Sequence, residues 1–254
     1  MAPVTLRIIS LAAAWLGVAV GVTATEPAAD ADLARTLVEK ADQIRFPAEA
    51  FQVDVDITST SPDKEAEKRK YRILSKGNEN TIVQTIEPAA ERGQALLTRG
   101  RDLWIFMPTL SQPVRLSLSQ RLTGQVANGD LARANFAGDY NPKILRTEAL
   151  EGEPHYVLEL TAADRGVTYG KVLYWVKQAN GRPVKAEFYS LSDRLLKTAS
   201  YGGFKTLGGK QRPGTITIED ALKKGDRSVL EYSAMQAKDL PDKMFTKDAL
   251  KRLE

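Results

Sequence analysis

From residue 51 onward the chain is cut into short segments, and turn residues rather than helices separate them. The first segment is the clearest. Phe51, Val53, Val55 and Ile57 alternate with Gln52, Asp54, Asp56 and Thr58, which gives one apolar and one polar face. After the turn Ser61-Pro62-Asp63-Lys64, strands are predicted over 69–75, 80–87, 94–98 and 102–107. A second series follows over 156–161, 167–176, 183–189, 195–201, 215–219 and 228–235. Gly77-Asn78, Arg99-Gly100-Arg101, Asp164-Arg165-Gly166 and Asn180-Gly181-Arg182 separate them, good turn chemistry each time. Roughly eleven or twelve short strands at this spacing predict a large antiparallel sheet, a sandwich or an open barrel. No long helix lies between the strands, so a βαβ arrangement is excluded.

Two stretches break the pattern. Over 31–44, Leu33, Leu37, Ala41 and Ile44 recur at helical spacing. Asp30 or Asp32 can cap this helix, and Pro47 stops it. The stretch 123–146 holds Gly124, Asn128-Gly129-Asp130, Gly138-Asp139 and Asn141-Pro142. Its pieces 131–136 and 142–146 are too short to be helical alone. They must pack on something, through Leu131, Phe136, Ile144 and Leu145. A last short helix is predicted over 246–253.

The N-terminus reads as an export signal. Arg7 precedes an apolar run from Ile8 to Val22, about 15 residues and short for a membrane span. Cleavage is expected near Ala24, which divides the chain into a signal peptide, 1–24, and one domain, 25–254. The sequence has no cysteine, so a lipid anchor on cysteine and disulfides are both excluded, and stability rests on an apolar core. With 36 basic and 32 acidic residues, the net charge of +4 is no nucleic-acid footprint.

The search for catalytic chemistry is nearly empty. His155 stands alone, at a strand start where a surface histidine is expected. The chain has no Gly-x-Ser-x-Gly elbow, no His-Glu-x-x-His and no cysteine nucleophile. Asp54 and Asp56 share a strand face, where solvated carboxylates are expected rather than a metal or glycosidase pair. Asn128-Gly129-Asp130 lacks the rest of a calcium-loop pattern. The expectation is no enzyme, no metal and no cofactor.

Two strands are bulky on both faces: Trp104-Ile105-Phe106-Met107 and Leu173-Tyr174-Trp175-Val176. Two readings fit. Either the sheet is covered on both sides, or it is curved around an apolar cavity that the N-terminal helix and the 123–146 pieces cover.

Several motifs carry a family resemblance: Ala41-Asp42-Gln43-Ile44-Arg45-Phe46-Pro47, Gly100-Arg101-Asp102-Leu103-Trp104-Ile105-Phe106-Met107-Pro108, residues 128–140 from Asn128-Gly129-Asp130 to Asp139-Tyr140, and Leu240-Pro241-Asp242-Lys243-Met244-Phe245. The chain resembles the outer-membrane lipoprotein-sorting proteins, the LolA-like group, in the branch associated with RND (MMPL-type) exporters. The resemblance implies a mainly β fold, a single curved and incomplete antiparallel β-barrel with an N-terminal helix and short lid helices. It favours the cavity, and it implies a monomeric periplasmic carrier of lipid or lipoprotein acyl chains between inner and outer membrane. An RND/MMPL-type transporter and an outer-membrane acceptor are the partners implied.

The candidate cavity and lid residues are Trp104, Phe106, Leu131, Phe136, Tyr140, Leu173 and Trp175, with Asp139 and Tyr140 as a latch. Arg115 and Arg121 are candidates for an anionic headgroup or plain solvated arginines. The alternatives are a sensor that signals bound lipid to a membrane partner, and a hydrolase, against which the catalytic inventory argues.

Overall fold

The computed structural model describes residues 26–251. The expected signal segment, 1–24, lies outside the described residues. Helix α1 (Glu26–Arg45) opens the structure. A meander of six strands follows: β1 (Phe51–Ser61), β2 (Lys64–Lys76), β3 (Asn80–Glu87), β4 (Ala95–Arg99), β5 (Asp102–Phe106) and β6 (Val114–Leu116). The small hairpin β7 (Arg121–Thr123) and β8 (Val126–Ala127) leads into the short helices α2 (Asn128–Ala132) and α3 (Phe136–Asp139). The second meander holds β9 (Tyr140–Leu150), β10 (Glu153–Ala162), β11 (Lys171–Lys177), β12 (Pro183–Tyr189) and β13 (Leu195–Gly202). After the hairpin β14 (Lys205–Leu207) and β15 (Lys210–Arg212), β16 (Thr215–Asp220) and β17 (Arg227–Ala237) complete the sheet, and α4 (Lys247–Leu250) is the last described element.

Thirteen strands form one antiparallel sheet in the order β6-β5-β4-β3-β2-β1-β17-β16-β13-β12-β11-β10-β9. The last long strand thus lies beside the first, with Val55 opposite Tyr232 and Ile57 opposite Leu230. Strands β6 and β9 are free edges, so the barrel is not closed. Register shifts interrupt the ladders near Gln52, Ser59, Lys70, Val157, Trp175 and Phe188. Such bulges bend and twist a sheet, and they let this one curl around α1.

Alternation then sorts the side chains. The inner face carries Val55, Ile57, Tyr71, Ile73, Leu103, Leu158, Tyr174, Tyr201, Leu230 and Tyr232, in one cluster with Ala34, Leu37, Val38 and Ala41 of α1. The outer face is polar over much of its area. Asp54 meets Arg72 through two hydrogen bonds of 2.8 and 3.0 Å, and Asp56 lies 3.7 Å from Lys70. These carboxylates are cross-strand ion-pair partners. One outer patch is apolar: Leu74, Ile82, Ala95 and Leu97 are covered by Leu240, Phe245 and Leu250 of the C-terminal segment.

Three expectations are corrected. Residues 142–146 are no isolated piece but part of β9, and Pro142 is tolerated there because β9 is an edge strand that needs no second ladder. His155 is buried, with Nδ1 against the Glu153 carbonyl at 2.7 Å, because β11 packs beside it. The C-terminal helix is a single turn, and the segment before it lies over the outer face.

The outer cluster is testable. Phe245 is almost fully buried. Phe245→Ala is expected to cost about 3–5 kcal/mol, read by urea unfolding. A loss near zero would mean the C-terminal segment adds nothing to the fold.

Candidate functional site

Residues 117–139 cross the open side of the curled sheet and cover its inner face. Leu118, Val126, Leu131, Ala132, Ala134 and Phe136 of this cover join the inner cluster. The cover is held at its edges by charges. Asp130 caps α2 by accepting from the Ala127 N–H at 2.8 Å. The same carboxylate accepts from Lys197 Nζ on β13 at 2.7 Å and from the Tyr169 hydroxyl at 2.6 Å. Lys197 also donates to the Gln125 carbonyl at 2.7 Å.

The second anchor is Arg133. It is 5% exposed and donates to both oxygens of Asp139, at 2.6 and 2.8 Å. Its Nη1 reaches Glu79 at 3.1 Å and the Gly100 carbonyl at 2.6 Å, which ties the cover to the β3 and β4 hairpins. Arg101 adds bonds of 3.0 Å to Asp139 and to the Gly138 carbonyl. A bidentate buried pair of this kind specifies geometry strongly. Tyr140 accepts from the Tyr169 N–H at 3.2 Å.

The third anchor reaches α1. The Ala137 N–H donates to Asp42 at 2.8 Å, and Arg35 donates to the Ala137 carbonyl at 3.1 Å. At the other end of the cover, Gly124 (φ +49°) passes so close that a Cβ there would lie 2.0 Å from the Ser59 hydroxyl. Gln125 N–H donates to Ser228, which is itself hydrogen-bonded to Ser59.

Beneath the cover lies a central cavity of about 20 Å³, lined by Arg45, Phe136, Tyr140, Tyr169, Tyr201 and Tyr232 among others. That volume suits about one water. Larger open grooves lie along the cover's margins. One of about 450 Å³ runs past Tyr71, Leu96, Ile105, Leu116 and Leu122. Two more, of about 400 and 300 Å³, flank Tyr169 and Leu196 on the other side. Leu191 and Leu222, 71% and 63% exposed, stand at the lips of these two grooves.

The structure brings Leu131, Phe136 and Tyr140 together on the inner face, and Phe136 packs edge-on against Tyr140 and Tyr174 at 5.5 and 5.4 Å. Four candidates point the other way. Trp104 and Phe106 belong to the outer cluster, with Lys247 4.4 Å above the Trp104 ring. Leu103 and Ile105 face inward instead. Leu173 and Trp175 lie on the outer face as well, and Val172, Tyr174 and Val176 face the core. Trp175 is buried there because Lys185 and Arg146 lie over its ring, at 4.3 and 6.0 Å. In both runs each face is bulky, so sequence parity alone could not orient them. Arg115 is exposed on the sheet edge and pairs with Asp102, and Arg121 lines two of the grooves.

Sequence reasoning missed a charged pair inside the core. Arg45 and Asp42 are both buried, 3.6 Å apart, at the end of α1. A signal was available: positions 42 and 45 continue the stripe of Ala34, Val38 and Ala41. Burial pushes the Asp42 carboxyl up to about 7, although Arg45 and the Ala137 N–H oppose the shift. Burial likewise holds the Tyr201 hydroxyl up at about 12.

An unclosed antiparallel sheet curled around a helix, with a pinned cover over its inner face, is a fold of the LolA-like kind. The comparisons agree. The crystal structure of a LolA superfamily protein from Nitrosomonas europaea matches with a TM-score of 0.81 at 62% identity, over 85% of this chain and 98% of that one. The chain belongs to the LolA superfamily. A family model described as "uncharacterized protein" matches residues 77–252. Two further crystal structures share the fold. A DUF1329 family protein from Desulfovibrio piger has a TM-score of 0.75 at 20% identity, over 87% of this chain and 99% of that one. A domain from Vibrio parahaemolyticus named for outer membrane lipoprotein sorting has 0.74 at 22%, over 87% and 100%. No curated protein matches the sequence.

Two outcomes are expected from these anchors. Asp139→Ala leaves the buried Arg133 guanidinium with only the half-exposed Glu79 carboxylate, a loss of about 3–5 kcal/mol. Hydrogen exchange is expected to speed first in residues 128–139, and uniform exchange across the sheet would refute that. The second concerns pH. The native state keeps a proton on Asp42 that the unfolded chain gives up near pH 4, so this contribution is full in acid and is lost as pH rises through about 7. Asp42→Asn is expected to flatten the corresponding fall in Tm between pH 4 and 8.

Proposed function

We propose that the protein is a soluble periplasmic carrier that takes up the acyl chains of a lipid or lipoprotein and moves them between the inner and outer membranes. One observation carries this reading. The cover is pinned at its margins by ion pairs and hydrogen bonds, yet it presents its apolar side to an apolar concave face. Opening it trades a few polar contacts, which water can replace, for access to a wide apolar surface. Each CH₂ buried there is worth about 0.8 kcal/mol, so an acyl chain can compensate for the displaced cover.

The open grooves are starting points for entry, and the exposed Leu191 and Leu222 at their lips are suited to touching an apolar surface. Membership of the LolA superfamily supports the same reading, as does the fold shared with the lipoprotein-sorting domain. Among the described residues, no helix is long and apolar enough to cross a membrane. The resemblance in sequence adds an RND/MMPL-type inner-membrane transporter and an outer-membrane acceptor as partners.

Native mass spectrometry of the protein purified from the periplasm tests the proposal. Co-purified acylated molecules are expected. A protein that is empty, and that also takes up no fluorescent fatty acid, would overturn it. Lys197→Ala loosens the cover by removing charge-assisted bonds worth about 1.5–3 kcal/mol. Uptake and release of the fluorescent fatty acid are expected to accelerate together, roughly tenfold or more, in stopped-flow measurements. Unchanged rates would mean that the cover does not gate the site.

A further inference from the structure

The central cavity holds a cation without a proper partner. Arg45 is 8% exposed, and neither its Nε nor its Nη1 has a hydrogen-bond partner. The nearest carboxylate, Asp42, lies at 3.6 Å, beyond hydrogen-bond distance, and its other oxygen is taken by the Ala137 N–H. The buried cations that hold the cover differ, since Arg133 and Lys197 each donate to a carboxylate at 2.6 and 2.7 Å.

Arg45 is not needed where arginines at helix ends usually serve. The last carbonyls of α1, from Gln43 and Ile44, accept from Arg212 at 2.6 and 3.1 Å. That leaves the Arg45 side chain to turn inward. Its guanidinium lies 4.2 Å from the Phe136 ring and 5.9 Å from Tyr201. The hydroxyls of Tyr174 and Tyr232, both buried, also lack partners. Leaving buried donors unpaired costs free energy that a matching acceptor recovers. Hydroxyls that stay protonated, and a guanidinium that always carries charge, are a donor set for an oxyanion.

We propose that Arg45, with Tyr232, forms an acid-recognition site at the floor of the inner cavity, and that the cargo is an amphiphile with an ionised carboxylate or phosphate head. The assignment rests on the carrier reading and narrows its cargo. The central cavity, closed down to about one water beneath the cover, receives the head when the cover is displaced, and the tail then points toward the cover's margin. Thr168 and Tyr169 line both that cavity and the groove of about 400 Å³ at the margin of the cover. Burial raises the Asp42 carboxyl and favours its neutral form beside Arg45.

Calorimetric titration of the delipidated full protein tests this, with palmitate, dodecyl phosphate, methyl palmitate and hexadecanol as ligands. The two charged ligands are expected to bind roughly ten- to hundredfold tighter than the uncharged ones, the range for charge-assisted bonds. Tyr232→Phe removes a hydroxyl that bonds nothing in the protein, so folding is preserved. It is expected to weaken palmitate several-fold and leave methyl palmitate unchanged. Arg45→Met is expected to erase the preference for charge. Equal affinity of the wild type for palmitate and methyl palmitate overturns the acid site and leaves the carrier standing. Loss of both ligands to the same degree in Tyr232→Phe also overturns it, since that is a structural effect. Binding of none of the four overturns the carrier reading itself. Competition by acetate or inorganic phosphate as strong as by palmitate identifies a site for small free anions and overturns the amphiphile.

Discussion

The pairing of β1 with β17 is the contact on which the rest of the structure depends. Each meander alone is a run of local hairpins. Joined along this seam, with Asp54 to Thr60 opposite Ser233 to Arg227, they become one sheet wide enough to curl. The seam brings Val55 and Ile57 beside Tyr232 and Leu230, at the centre of the inner face. Helix α1 lies against that face, and its apolar stripe joins the same cluster as the inner side chains of both halves. This is a pairing between distant parts of the chain, so its loop-closure cost must be met before the local hairpins gain a common core.

A sheet that curls without closing leaves an apolar face to be covered. The chain solves this with a segment too short in its helices to be stable alone. Its stability is borrowed: apolar side chains from the inner cluster, and polar anchors from Lys197, Tyr169, Glu79, Arg101 and Asp42. The anchors differ in depth. Arg133 and Asp139 are buried and geometrically matched, whereas the Glu79 end of the same network is half exposed. The weaker contacts lie at the rim, where water can take their place. Such a cover can be firm on average and still be displaced by a ligand that offers more apolar area.

Much of this architecture was legible in the sequence. Period-two alternation and turn residues predicted the strands, because both are local properties of a pleated backbone. The segment 123–146 was recognisably something that must pack on a partner, since Leu131 and Phe136 lie in pieces too short to stand alone. The faces of Trp104, Phe106, Leu173 and Trp175 were not legible. Their strands carry bulky residues on both sides, and a shift of one position exchanges inside for outside. The outer apolar patch exists to receive Leu240, Phe245 and Leu250, more than a hundred positions away. Lys185 and Arg146 covering Trp175 is likewise a matter of neighbouring strands.

Sequence by itself determined the class of structure: short antiparallel strands, one N-terminal helix, a core without disulfides, and an absence of catalytic constellations. Those follow from residue periodicity, turn chemistry and composition, which act over a few positions. Only the tertiary structure decided which face of each strand is inside, which carboxylates hold the cover, and that Arg45 is buried. Each depends on what distant segments bring to the same place. Arg45 lies four residues beyond Ala41 on the buried side of α1. Arg212 bonds the carbonyls at the end of that helix, and the guanidinium faces the tyrosines of the sheet's inner face.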